Sequence, residues 1–434
     1  MNLKQLNDIE ILTFDKSTLD AADGTTARFL QSNSSSELDK ARAVAHYVLE
    51  KLGDIEHPIL MMDLHKVAIQ YKRWMDCFPS VELYYAVKCN PDRVLVSYLQ
   101  SLGVNFDCAT SAEMNLVVNE LNHPPDKVIY SNPCKLPSHI RFAADCGVRL
   151  TIIDNKDEIL KIKRNHPSAQ VLLRLACVDT SAQCPMSCKF GATDDKVRTL
   201  LEYSAEVGLE VVGVHFHVGS GCSDPQSYHR ALVDARRAFD VGIECGHDMK
   251  ILDLGGGWPG LNIQDGSCRT TSGIHFEQIA AVVNSLLNDL FPNEDNQYKI
   301  MAEPGRFFTA GCAFALSFIH SKAVDVGPFG ERLIRYYIND GLYGCFNSVL
   351  YDHATVRPDT LVEGEEQDDG QPRRATIFGP TCDGFDKVID DVTHLPEMEI
   401  GERLIWLSMG AYTSAASTTF NGFPQAKYYY YKTL

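Results

Sequence analysis

From residue 58 onward, short apolar runs alternate with stretches in which apolar residues recur every three or four positions. The runs read "PILMMD", "LYYAVK", "VNFDCA", "VIYSN", "LTIID", "VLLRL", "VVGVHFH", "ILDLGGG" and "KIMAE". Segments such as "PDRVLVSYLQSL" and "SAEMNLVVNEL" between them carry helical periodicity. Strands alternating with amphipathic helices are the pattern of βαβ units around a parallel sheet. With the first run assigned to the N-terminal segment, eight remain from Lys88 to Glu303, the count of a (β/α)8 barrel.

Those eight runs end at Lys88, Asp107, Asn132, Asp154, Arg174, His217, Gly255 to Gly257, and Glu303. In a barrel all such ends open on one mouth, where active sites are built. A doubly wound open sheet also gathers ligands at its strand ends, so this feature alone does not choose between the two folds.

The flanks read differently. "IEILTF" is a weak strand candidate, and the polar "QSNSSSELDK" predicts a loop and N-cap before the helix "ARAVAHYVLEKL". After about residue 306, "ERLIRYYIND", "RATIFGP" and "RLIWLSMGAYT" follow one another without long helices between them. They predict a second, mainly β domain joined by the N-terminal strand. The expected division is a barrel over 60–305 and a β domain from 1–59 and 306–434. The acidic "LVEGEEQDDGQPRR" reads as an exposed loop.

Composition narrows the function. At 434 residues and 45% apolar the chain can bury a real core, while a net charge of −17 argues against nucleic acid or an anionic membrane as main partner. The longest apolar stretch, near "AGCAFALSFI", is well short of the roughly 20 residues of a membrane span. Fourteen scattered cysteines form no Cys-x-x-Cys pair and follow the polar start "MNLKQLNDIE", so reduced thiols in a soluble, cytoplasmic protein are expected.

Several short stretches carry candidate chemistry. Lys88 in "YYAVKCNPD" ends a buried run; a lysine there is ordinarily a snorkelling surface residue, the alternative being an amine held for its nucleophilicity. "LDLGGGWPG" and "HFHVGSG" put glycines directly after successive strands, with Ser220 as a donor, an arrangement that suits a tight turn or a phosphate cradle. In "AEPGRFF", Glu303 and Arg306 face each other across a Pro-Gly turn as an exposed ion pair or as a phosphate and cation site. "FGPTCDGFD" sets Cys382 and Asp383 in a Gly/Pro-framed loop, and "NDGLYGCFNSVLYDH" places Asp352 beside His353. Singly, none of these decides a function, and no metal site is assigned.

Together, "YYAVKCNPD", "HFHVGSG", "LDLGGGWPG", "AEPGRF", "NDGLYG", "LYDH", "GPTCDGFD" and "MGAYT…FNGF" resemble the eukaryotic ornithine decarboxylases, pyridoxal-phosphate (PLP) enzymes of the alanine-racemase-like fold, over about residues 58 to 425. The resemblance implies a PLP-binding barrel, a β domain, and a head-to-tail homodimer whose active sites draw on both subunits. It implies decarboxylation of L-ornithine to putrescine and CO2, the first step of polyamine biosynthesis. Lys88 would anchor PLP covalently, His217 would stack on its ring, and Ser220, Gly255, Gly256, Gly257, Arg306 and Tyr412 would hold its phosphate. Glu303 would pair with the pyridine nitrogen, Arg174 would lie on the ring's far side, and Asp107 and Glu113 would support the site. From the partner would come Cys382 as proton donor to Cα, Asp383 and Asp352 for the distal ammonium, and Tyr343, with Phe420 lining the pocket. Lys189 and Asp386 match an intersubunit ion pair.

Ending soon after "YYYYKTL", the sequence is not expected to carry the degradation-linked tail of vertebrate members. The resemblance leaves open whether the surface near residues 120 to 146 meets an antizyme-like regulator. A rival from another class is a homologue without catalysis that works by binding such a regulator, against which stand the retained Lys88, Arg306, Cys382 and Asp383. Among enzymes, a distal carboxylate on the substrate conflicts with Asp352 and Asp383. Lysine is the harder alternative to separate, because one methylene is worth only about 1–3 kcal/mol.

Overall fold

Eight parallel strands close into a barrel, β1 (Glu82–Ala86), β2 (Asn105–Cys108), β3 (Val128–Tyr130), β4 (Leu150–Ile153), β5 (Gln170–Arg174), β6 (Glu210–His215), β7 (Ile251–Asp253) and β8 (Lys299–Ala302). They pair in chain order, and β8 returns to β1 through Met301 opposite Glu82. This is the barrel expected from the eight apolar runs. The computed structural model describes residues 11–14, 36–53, 55–262, 267–268, 273–292, 297–361 and 373–433. Most of the acidic "LVEGEEQDDGQPRR" segment, and the polar stretch before Ser36, lie outside the described residues.

Helix starts between strands carry their own signals. Asp92 caps Arg93–Ser101 by accepting from Leu95 N at 2.9 Å, and Asn155 caps Lys156–Asn165 by accepting from Glu158 N at 2.9 Å. Inside the barrel, Tyr84, Ile129, Ile152, Leu172, Val212 and Met301 form one buried apolar cluster, each from a different strand. Side chains alternate along a strand, so the residue two positions beyond such a group points to the same side. Past this floor the sequence changes from apolar to polar: Leu172 leads to Arg174, Ile251 to Asp253 and Met301 to Glu303. The barrel thus has an apolar floor below a layer of polar groups.

Compactness divides the chain into two units, one of Ile69–Gly260 and Cys268–Phe308, the other reaching up to Ala68 and resuming from Thr309, with Leu261–Ser267. The second unit is built on a mixed sheet. Its order is Ile11–Phe14, Lys427–Thr433, Ile59–Asp63, Ala313–Val326, Arg332–Ile338, Arg373–Phe378 and Lys387–Val392. The run "PILMMD" therefore belongs to this sheet, and Ile11–Phe14 joins it as a parallel edge on the C-terminal strand. Helix Glu37–Leu52 starts at Ser36 in a capping box with Asp39 and packs Ala41, Val44, Ala45 and Val48 with Ile59, Met61, Phe314 and Ile405. Trp406 anchors the other apolar cluster, with its Nε1–H donating to Ser317 Oγ at 2.8 Å.

Candidate functional site

Lys88 is not on a strand. β1 stops at Ala86, and Val87–Cys89 form one 3-10 turn that carries the lysine past the strand end. Its ammonium donates to Asp107 Oδ2 at 2.7 Å, and Ser131 Oγ donates to the carboxylate's other oxygen. Burial, then the charge of Glu303, pushes Asp107 above the ordinary carboxylate range, while Lys88 opposes the rise. Glu113 accepts from Ala109 N at 2.5 Å at the start of the short helix Ser111–Met114, and burial raises it too. It braces the turn beside Asp107.

Not every polar strand end joins this group. Asp154 accepts from Asn155 and from Gly191 N at 2.9 Å, and Asn132 accepts from Cys134 N and donates to Ala109 O. Both tie loops together. The residue that reaches Asp107 from β3 is Ser131, one position before the asparagine that ends the apolar run.

Glu303 follows β8 and is 3% exposed. Its Oε2 lies 3.2 Å from His215 Nε2, and His215, Asp253 and Glu303 bring ligand-type atoms within 4.8 Å of one another. Burial raises both carboxyls, Asp253 further because Glu303's charge adds to it, whereas Lys88 and Arg174 pull Glu303 down. Of the two, Asp253 is pushed further toward its protonated form, and the Lys88 and Arg174 charges favour the carboxylate of Glu303. His215 and Asp253 escape a reading based on strand ends because they sit inside runs that look like buried strand. An ionisable residue within such a run is the signal that marks them.

His217 is buried and neutral, its basicity lowered by burial and then by Arg174 and Lys88. Gly219 N donates to its Nδ1 at 3.0 Å, which leaves the ring proton on Nε2. Gly256 packs against that ring so closely that a Cβ there would stand 2.7 Å from Nε2. Gly257 has φ 105°, and its Cβ would meet Gly219 O at 2.6 Å, so the two glycine loops touch through backbone alone. Trp258 secures them from behind by donating Nε1–H to Gly255 O at 2.9 Å while its ring packs tilted against Tyr228 and edge-on to Trp74. Arg306 donates to Ser220 Oγ at 2.9 Å. Arg174, at the end of β5, is 6% exposed with its guanidinium over the Phe190 ring, and burial lowers its pKa.

The second unit collects the other expected residues. Tyr343 donates to Asp383 Oδ2 and stacks on Phe420 with ring centroids 4.4 Å apart. Cys382 is exposed, and its backbone N–H donates to Asn421 Oδ1 at 3.0 Å. Asp352 is 6% exposed at the end of the short helix Ser348–Tyr351, followed by His353 with φ 50°. Tyr412 adopts φ 55° in the segment after strand Arg403–Trp406. Asp386 is buried and accepts from Leu342 N, Thr381 N and Thr381 Oγ. Lys189 lies over the Phe190 ring in the barrel unit.

The barrel site fits PLP. Among the described residues Glu303 Oε1 is buried with no hydrogen-bond partner. A carboxylate oxygen accepts two hydrogen bonds, so a protonated ring nitrogen has a buried anion to meet. A lysine at the mouth, a neutral imidazole and paired glycine loops beside an arginine supply the remaining contacts such a cofactor needs. Fold and site together define a PLP-binding barrel protein.

The family "Pyridoxal-dependent decarboxylase, pyridoxal binding domain" matches residues 64–310, and its "C-terminal sheet domain" matches 313–410. The chain belongs to this family, and its cofactor is pyridoxal 5'-phosphate. It is 41% identical over 387 residues to the ornithine decarboxylase of Rattus norvegicus, covering 87% of this chain and 81% of the relative. It is 38% identical over 399 residues to antizyme inhibitor 2 of Xenopus laevis, covering 90% and 85%. The arginine decarboxylase of Paramecium bursaria Chlorella virus superposes with a TM-score of 0.81 at 34% identity, covering 90% of this chain and all of that one.

Among the described residues no helix is long and apolar enough to cross a membrane.

Proposed function

We propose that the protein decarboxylates L-ornithine to putrescine and CO2. The observation that carries this reading is the set of groups in the second unit, where Cys382 stands beside an Asp383 held by Tyr343, with Asp352 on the same unit. Two carboxylates and no basic group among these residues suit a substrate whose far end is an ammonium. The 41% identity to the rat ornithine decarboxylase supports the same substrate.

Bound at the barrel mouth, PLP supplies the electron sink for the pair left at Cα when CO2 departs. Lys88, whose amine donates to Asp107, would be the residue of covalent attachment. Glu303 would keep the ring nitrogen protonated, His217 would stack on the ring, and Ser220, Arg306, Tyr412 and the glycine loops would hold the phosphate. Asp352 and Asp383 hold the distal ammonium, Tyr343 and Phe420 shape the pocket around it, and Cys382 Sγ delivers a proton to Cα. The active unit is a cytoplasmic homodimer in which Cys382, Asp383, Asp352 and Tyr343 come from the partner subunit. Lys189 approaches Asp386 across that interface, adding a cation to a carboxylate already oriented by three donors.

Similarity to an antizyme inhibitor favours a second reading, a regulator-binding protein without catalysis. Against it stand Lys88 paired with Asp107 and Arg306 paired with Ser220, both arranged as a cofactor site requires. CO2 release by the purified protein with PLP, compared for L-ornithine, L-lysine and L-arginine, tests the proposal. Ornithine is expected to have the highest kcat/KM. No release from any of the three leaves the regulator reading, and a higher kcat/KM for lysine or arginine reassigns the substrate.

A further inference from the structure

Three neighbouring strands place His215, Asp253 and Glu303 side by side under the barrel mouth. His215 is the register partner of Asp253 on one side and of Arg174 on the other, and Glu303 N donates to Gly255 O at 2.9 Å just beyond β7. His215 and Asp253 have no exposed surface and Glu303 almost none. A buried histidine usually satisfies a structural network, and this one could do no more than fill the barrel. The arrangement of its protons argues for a more specific task.

His215 is neutral, because burial, then Arg174 and Lys88, disfavour its charged form. A neutral imidazole has one N–H, and a carboxylate can only accept, so the proton must sit on Nε2, pointing at Glu303 Oε2. The other ring nitrogen, Nδ1, has no hydrogen-bond partner among the described residues. Asp253 Oδ1 is occupied by Gly255 N at 2.8 Å. The groups around the imidazole are Arg174 from β5, Asp253 from β7, Glu303 from beyond β8 and His217 from its own strand's extension, with the Lys88 and Asp107 charges acting from the turn after β1 and from β2. Two cations, Arg174 and Lys88, thus face the buried carboxyls of Glu303, Asp107 and Asp253, of which Asp253 is pushed furthest toward its protonated form.

We propose that His215 is a positioning residue for the cofactor: its Nε2–H holds Glu303 Oε2, so that Oε1 is presented to the pyridine nitrogen of PLP. Without that donor the carboxylate is free to turn, and the ring nitrogen loses its anion. The inference rests on the reading of Glu303 as the ring-nitrogen partner.

The test compares His215→Gln with His215→Asn in the full-length protein. Both amides are neutral donors of similar polarity, but only Gln extends far enough to approximate the reach of Nε2. The apo forms are titrated with PLP, and the pH midpoint of the bound cofactor's visible absorbance is followed in each. The expected result is that Asn weakens PLP binding about tenfold and displaces the absorbance midpoint, whereas Gln stays within about threefold of the parent, the scale of one hydrogen bond to a charged group. KM for ornithine is expected to be the same in both.

Circular dichroism and the unfolding midpoint identify a variant that fails to fold, in which case His215→Leu, which keeps the apolar volume, replaces it in the comparison with Gln. Equal PLP affinity and equal absorbance profiles in the Gln variant and in the variant that cannot reach Glu303 Oε2 overturn the proposal. Glu303→Gln separates the two layers of the argument. If it weakens PLP while the His215 variants match the parent, only the role of His215 falls; if it also matches the parent, the assignment of Glu303 falls with it.

Discussion

Lys88 Nζ lies 2.7 Å from Asp107 Oδ2, pairing a side chain about one third open with a carboxylate that has no exposed surface. The turn Val87–Cys89 aims the lysine, and the buried acid fixes its amine at one point of the mouth. Borohydride reduction of the PLP-loaded protein is therefore expected to fix the cofactor on the peptide containing Lys88, read by mass mapping. Lys88→Ala should give no trapped cofactor. A label on any other lysine contradicts the assignment.

Gly256 tests the phosphate side of the site. A methyl group there would stand 2.7 Å from His217 Nε2 and 3.1 Å from Glu303 O, so one of the two must move. Gly256→Ala is expected to lower PLP affinity by at least about tenfold, with an overpacking cost of about 1–3 kcal/mol. Titration of the apo protein with PLP, alongside its thermal midpoint, checks both. Unchanged affinity would mean that the His217 ring does not define the cofactor's seat.

The barrel was legible because each of its strands is an apolar run closed by a polar group, and a parallel sheet buried on both faces leaves that alternation nowhere to hide. Lys88, Asp107, Arg174, His217 and Glu303 come to one mouth for this reason. His215, Asp253 and Ser131 were not legible. They lie within or just after the runs, and only closure of the barrel turns them toward Glu303 and Asp107. Asn132 and Asp154 show the converse: polar strand ends that serve loops. Motif order alone related Tyr343 to Asp383, 40 positions apart; no periodicity connects them.

Tyr343 donates to Asp383, which holds that carboxyl below its usual range. Removing the phenol in Tyr343→Phe lets the Asp383 pKa rise, so the acid loses its charge at a higher pH. If Asp383 binds the distal ammonium, the acid limb of the KM profile for ornithine moves toward higher pH in the variant while PLP affinity is unchanged. Superimposable KM profiles would remove Asp383 from substrate binding or Tyr343 from its support.

Cys382 sits exposed in a loop held to Asn421 by its backbone, so its thiol is not committed to packing. Cys382→Ala is expected to lower kcat by about 10²-fold or more, the usual contribution of a placed proton donor. CO2 release should also exceed putrescine formation, because protonation at Cα is no longer directed. A variant that makes putrescine at the parent's rate, mole for mole with CO2, rules out this role.

Asp340 gives the second unit a pH dependence of its own. It is buried, accepts from Gly341 N at 2.8 Å and Cys345 N at 2.9 Å, and its carboxyl is pushed up to about 6, chiefly by burial. The folded state therefore binds this proton more tightly than the unfolded chain. Its contribution to stability is full below about pH 4 and is lost as pH rises to about 6, a change of about 3 kcal/mol for a shift of this size. Asp340→Asn keeps the acceptor oxygen for both backbone N–H groups and has no charge to bury. It should match the parent near pH 4 and become progressively more stable than the parent by pH 7, measured as the difference in urea midpoints. A difference that stays constant across that range would show that Asp340 is ionised in the folded protein throughout.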